Sequence, residues 1–175
     1  MKSSSPKCDV LVNDFVRVRL PRLPSTCTLS YGETRSEHSE TATLTTFEFL
    51  IPRRPVSVQA KRSSLRTWRT FVQGEAAKVW AGSTINTGDL HIMLVYLYDL
   101  SPPDTDNIVK PIQDALVGLV FSDDSLITDV EAHRRSLKGT FDLTRLPPMV
   151  LAGVYSMKEC VYVRVSSSRS LEDYL

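Results

Sequence analysis

The sequence predicts an α+β domain on a mixed β-sheet with two main helices, ordered strand, helix, strand, helix, strand, strand. Three observations carry this. Hydrophobic periodicity switches twice from the alternation of strands to the three- and four-residue spacing of helices. Proline, glycine or paired aspartates stand at each switch. A chain of 175 residues, 42% hydrophobic and 23% charged, has the size and composition of one ordinary globular core.

The elements follow in order. Residues 1–43 are rich in Ser and Thr, carry the acidic patch Glu33, Glu37 and Glu40, and form an N-terminal extension. Within it, alternation from Asp9 to Leu20, stopped by Pro21 and Pro24, fits either an added edge strand or a partly disordered arm. Leu44 to Ile51 is a strand ended by Pro52 and Pro55. From Ala60 to Trp80, Leu65, Trp68, Val72, Ala76 and Val79 mark an amphipathic helix, with Arg62, Arg66 and Arg69 striping another face. Gly82 and Gly88 punctuate a loop before the strand Leu90 to Tyr98. A second helix carries Ile108, Val109, Ile112, Ala115, Leu116, Leu119 and Val120; Pro111 lacks an N–H, so it should begin near Asn107 or Ile108, or kink. Leu126 to Ser136 is a strand turned by Lys138-Gly139, and Cys160 to Val165 is the last, paired with a further strand over Met149 to Tyr155. The core domain spans 44–166, and 167–175 form a polar tail.

Composition excludes several classes. The longest apolar run, Leu90 to Tyr98, is too short to cross a bilayer, and no apolar run follows Lys2 and Lys7 as a secretory leader requires, so an intracellular, cytoplasmic setting is expected. Cys8, Cys27 and Cys160 are odd in number and form no Cys-x-x-Cys pair, which suits a reducing compartment and offers no zinc site. The net charge of +1 conceals two opposed windows. Between Ile51 and Trp80 seven basic residues face Glu75 alone, a balance of +6; between Asp99 and Asp129 seven aspartates face Lys110 alone, a balance of −6. Beside a polyanion-binding face, carboxylates repel phosphate unless a divalent cation lies among them. The plainer alternative is that the two windows neutralise each other as surface ion pairs.

Asp104 and Asp106 flank Thr105 where a strand passes into a helix, with Lys110 one turn on and Asp123-Asp124 beyond the helix end. Oxygen ligands of this kind suit magnesium, which takes one or two carboxylates and keeps waters for phosphate oxygens. Helix capping explains one such aspartate equally well, and a Ser-bounded Asp-Asp turn is ordinary loop chemistry. For Lys110 the alternative is an ion pair with Asp106 or Asp114, each four residues away. His91 and His133 fall in strands and are expected to pack or face DNA rather than ligate; Trp68 and Trp80 are expected in the core.

The run Asp104-Thr-Asp106-Asn107-x-x-Lys110-Pro111-x-x-Asp114-Ala115-Leu116-x-Gly118, followed by Asp123-Asp124, resembles the signature of the RusA-type Holliday junction resolvases. Upstream, Ile51-Pro-x-Arg-Pro-Val-Ser-Val-Gln-Ala-Lys-Arg resembles that family's first strand and basic turn, and the likeness runs from about 45 to 166. One departure is that Ser101-Pro102-Pro103 stands where the family tends to carry basic residues. The resemblance implies a RusA-like, homodimeric fold and a magnesium-dependent endodeoxyribonuclease that cuts branched DNA such as Holliday junctions in recombination and repair. It assigns Asp104, Asp106 and Asp124 to Mg2+, with Mn2+ as a substitute, and a catalytic role to Lys110. Lys61, Arg62, Arg66, Arg69, Arg134, Arg135 and Lys138 are the expected DNA-binding cations. The rival is a non-catalytic DNA-binding or assembly protein that keeps the fold; an Asp-x-Asp phosphotransferase fits poorly because Pro102-Pro103 separates the first aspartate from its strand.

Helix length adds one expectation. About 12 helical residues separate Asp106 from Asp124 by roughly 18 Å. Either the following loop folds back along the helix or a second chain supplies Asp124. A two-fold dimer with composite sites, Asp124 coming from the partner, meets that requirement.

Overall fold

The computed structural model describes residues 9–12, 16–19, 46–80, 88–173 and 175. The patch Glu33, Glu37 and Glu40, the cysteines Cys8 and Cys27, and the loop at Gly82 lie outside the described residues. The chain divides into two compact units, 1–41 and 42–175. In the first, β1 (Asp9–Val12) pairs antiparallel with β2 (Val16–Arg19), Val10 opposite Val18, so the expected single strand is two.

The second unit holds a mixed four-stranded sheet. Its strands are β3 (Phe47–Ile51), β4 (Leu90–Tyr98), β5 (Ile127–Ser136) and β6 (Cys160–Ser167), ordered β3-β6-β4-β5. β4 and β5 run parallel, while β6 lies antiparallel to both β3 and β4. A parallel pair needs a crossover, and α2 (Thr105–Leu116) supplies it. α1 (Arg62–Val79) connects β3 to β4. One core takes Phe47, Phe49 and Ile51 from β3, Leu90, Ile92, Leu94 and Tyr96 from β4, and Val161, Val163 and Val165 from β6. Trp68, Val72 and Ala76 of α1, with Ile108, Ile112, Ala115 and Leu116 of α2, close it.

The expected strand over Met149 to Tyr155 is instead α3 (Pro148–Ser156). Pro147 and Pro148 fix a helical start, since proline at the first turn loses no hydrogen bond. Val150, Gly153 and Val154 are its buried positions, a helical spacing. A Cβ on Gly153 would lie 2.9 Å from Cys160 Sγ, so only glycine allows this approach to the sheet. Val154 joins Leu97, Leu137 and Cys160 in a second, smaller core. Burial there pushes the Cys160 thiol up to about 12.

α2 also begins earlier than expected, at Thr105, with Pro111 inside it. A proline at 111 cannot donate to the carbonyl of Asn107. That carbonyl instead accepts the N–H of Val58 at 2.8 Å, from the loop between β3 and α1. β6 runs to Ser167, two residues past the expected Val165, and Ser168 N–H donates to Asp89 O at 3.0 Å. Among the described residues no helix is long and apolar enough to cross a membrane.

Candidate active site

The loop from Asp99 to Asp104 leaves the end of β4 and enters α2. Asp104 takes the N-cap position, but its side chain makes no capping hydrogen bond. Its carboxylate lies 3.7 Å from Arg134 Nη1 and stays 79% exposed. The capping explanation therefore fails for Asp104. Asp106, in the first turn of α2, is exposed and has no ion pair among the described residues.

Below them the chain reverses. Gly118 adopts φ +79°, left-handed backbone that glycine enters without strain, and its N–H donates to Phe121 O at 2.8 Å. The return brings Asp124 onto the ammonium of Lys110, which also lies 3.0 Å from Asp114 Oδ1. Hydrogen bonds that Lys110 donates to Asp124 first and Asp114 second raise its ammonium above its ordinary value. Asp123 behaves differently. It caps the short 3-10 turn Asp124–Leu126, accepting Ser125 N–H at 2.9 Å, and the Ser125 hydroxyl first and this N–H second lower its carboxyl. So one chain brings Lys110 and Asp124 together by folding back along α2, one of the two arrangements that helix length allows.

The expected DNA-binding cations divide in two. Lys61, Arg62, Arg66 and Arg69 are exposed along α1, with no ion pair among the described residues. Arg134, Arg135 and Lys138 are engaged: Arg134 donates to Pro103 O at 2.9 Å, Arg135 to Arg134 O at 2.8 Å, and Lys138 lies 2.8 Å from Asp99. No described cation of the 51–80 window pairs with an aspartate of the 99–129 window. The two windows therefore do not cancel as ion pairs among the described residues, and the α1 stripe keeps its charge facing outward.

Sequence reasoning counted Arg54 in the basic window without giving it a role and passed over Glu159. Arg54 donates to Leu100 O at 3.1 Å and to Ser101 O at 2.6 Å, and lies 3.5 Å from Glu159. Glu159 accepts from Tyr96 Oη and Asp99 N–H, both at 3.1 Å. Ser101 has φ +39°, a left-handed backbone uncommon for a side-chain-bearing residue, held between Arg54 and Pro102-Pro103. Arg54 and Arg134 thus bring positive charge to the Ser101-Pro102-Pro103 loop from distant parts of the chain. No local pattern announces contacts of this range.

The family model for Endodeoxyribonuclease RusA matches residues 53–141, just over half of the chain. The chain belongs to the RusA endodeoxyribonuclease family. The RusA match takes in the free cations of α1, the Asp104-to-Asp114 run and the Asp124 return, and stops short of α3 and β6. No curated protein matches the chain.

His91 is buried, its Nε2 3.4 Å from Glu131 Oε1 without hydrogen-bond geometry; His133 Nε2 lies 3.7 Å from Glu131 Oε2. Trp68 is in the core, and Trp80 packs edge-on to Phe47 at 4.9 Å. Asp104, Asp106 and Asp124 are oxygen donors that suit a hard cation. Among the described residues no three acidic or imidazole side chains converge as a metal cluster; Arg134 and Lys110 hold Asp104 and Asp124 instead.

Proposed function

We propose that this chain is a divalent-metal-dependent endonuclease for branched DNA such as Holliday junctions, acting inside the cell in recombination and repair. It works as a homodimer, each chain of which contributes Asp104, Asp106, Lys110 and Asp124. The observation that carries the reading is the Lys110–Asp124 pair, formed within the RusA-matched segment beside Asp104 and Asp106. Two nicks resolve a four-way junction, which is what a two-site dimer delivers.

Asp104, Asp106 and Asp124 would hold Mg2+ or Mn2+, which when bound supplies charge for the scissile phosphate and a water of lowered pKa. Lys110 is protonated at neutral pH as any lysine near 10.5 is, and its hydrogen bonds to Asp124 and Asp114 raise it further. It is therefore a cationic donor to the pentavalent phosphate rather than a general base. The exposed stripe Lys61, Arg62, Arg66 and Arg69 takes the phosphate backbone, while Arg134 positions Asp104 at the mouth of α2.

The second reading, a DNA-binding protein without catalysis, draws on the same ion pairs, since Lys110 and Arg134 already balance two of the carboxylates. One assay separates them. Purified chain is incubated with Mg2+ or Mn2+ and labelled four-way, flap, single-stranded and linear DNA. The nuclease reading expects metal-dependent nicking, lost in Asp104→Asn, Asp106→Asn and Asp124→Asn with DNA binding kept. Wild-type cutting rates in all three variants would overturn the metal assignment, and no cutting by the parent chain would favour the second reading.

A further inference from the structure

β6 runs antiparallel to β3 and β4, so its start lies beside the ends of both: Val161 stands opposite Ile51, and Cys160 opposite Leu97. Three segments meet at that end of the sheet, and a pair of charged residues joins them. Arg54 follows β3 in the loop toward α1, and Glu159 directly precedes β6. Glu159 Oε1 lies 3.5 Å from Arg54 Nη1 and accepts the Tyr96 hydroxyl and the Asp99 N–H, both at 3.1 Å. Tyr96 is fully buried and the Glu159 side chain is only 18% exposed, so the pair is seated on the sheet.

What the pair holds is the path from β4 to α2. Pro102 and Pro103 have no N–H, so this loop offers few donors to its own carbonyls and takes them from distant residues. Arg54 donates to two successive carbonyls, Leu100 O at 3.1 Å and Ser101 O at 2.6 Å. The φ of +39° at Ser101 is a conformation that persists only where the surroundings over-determine it. Glu159 fixes the Asp99 N–H at the start of the loop, and Arg134 fixes the Pro103 carbonyl at its end. Asp104 follows at once, and Asp106 two residues later. Arg54 also belongs to the basic window and is half-exposed, so its plainer role is a phosphate contact. Its guanidinium, however, is already committed to two carbonyls and a carboxylate.

We propose that Arg54, locked by Glu159, is a positioning residue: it holds the left-handed turn at Ser101 and so sets where Asp104 and Asp106 stand for a divalent cation, a reading that rests on the nuclease function above. Part of the support for the aspartates then comes from Glu159, beyond the RusA-matched residues.

The test measures Mn2+ binding by the full chain, read from the electron paramagnetic resonance signal of the free ion, so that no cleavage is needed. Arg54→Met should weaken Mn2+ binding about 10-fold, the scale on which groups that orient metal ligands act. Adding Ser101→Gly to Arg54→Met should restore part of that affinity, because glycine enters left-handed backbone without strain and keeps the turn unaided. On duplex DNA, Arg54→Met should keep the parent's log–log salt slope. Unchanged Mn2+ affinity in folded Arg54→Met, or a loss that Ser101→Gly does not restore, overturns the positioning role. A slope reduced by about 0.9 makes Arg54 a phosphate contact and overturns it as well. If Arg54→Met does not fold, Glu159→Gln carries the same expectations and the same overturning results for Mn2+, since it keeps an acceptor for Asp99 and Tyr96 but removes the charge that locks Arg54. A parent chain that neither binds Mn2+ nor cuts DNA overturns the nuclease reading and this one with it, whereas equal Mn2+ binding by parent and variant overturns the positioning role alone.

Discussion

Val58 donates its N–H to the carbonyl of Asn107 at 2.8 Å, across the gap between the β3–α1 loop and the first turn of α2. Asn107 stands four residues before Pro111, so its carbonyl has lost its helical donor. The proline therefore opens an acceptor that another segment fills, and the basic window becomes fastened to the acidic one through the backbone.

Removing that donor should be costly. Val58→Pro leaves the Asn107 carbonyl unpaired and should lower stability by about 1–3 kcal/mol, read as a shift in urea midpoint. Adding Pro111→Ala restores a helical N–H to the same carbonyl and should recover part of the loss. Equal stability of Val58→Pro with and without Pro111→Ala would mean that this bond is not the cause.

The reversal after α2 depends on Gly118. With φ +79° and open space where a Cβ would stand, Gly118→Ala costs backbone strain alone, about 1–2 kcal/mol. Gly118→Asn should cost less, because asparagine tolerates left-handed backbone. Thermal melts compare the three, and equal melting temperatures for the Ala and Asn variants would rule out conformation as the cause.

Lys110 makes stability depend on pH in a defined direction. Its folded value lies above the ordinary 10.5 of the unfolded chain, so the folded state keeps the proton longer. The stabilisation is fully present below pH 10.5 and is lost as pH rises through the folded value. The stability gap between wild type and Lys110→Met should therefore be constant from pH 7 to 10 and shrink above that range. A gap that grows at high pH would contradict the pairing with Asp124 and Asp114.

A site complete within each chain predicts the outcome of subunit mixing. Asp106→Asn and Asp124→Asn chains, exchanged into heterodimers, should stay inactive, since each chain carries a damaged site. Recovery of nicking after verified exchange would place Asp124 in its partner's site.

Much of this was legible in the sequence. The order of four strands and two helices, the strand Leu90–Tyr98 and the basic face of α1 are set by local periodicity, since a sheet repeats every two residues and a helix every 3.6. The spacing Asp104, Asp106, Lys110 and Asp124 could be read as well, because a signature is a property of neighbours along the chain. α3 was misread although Pro147-Pro148 announced a helical start; its continuous apolar run has the composition of a buried strand, and the two differ only in what packs against them. Tertiary structure alone decided that Asp124 meets Lys110 in the same chain and that Arg54 and Arg134 reach the loop before Asp104. Each of these depends on where a chain reversal or a sheet register places groups 14 to 47 residues apart, and such distances are fixed by packing rather than by spacing.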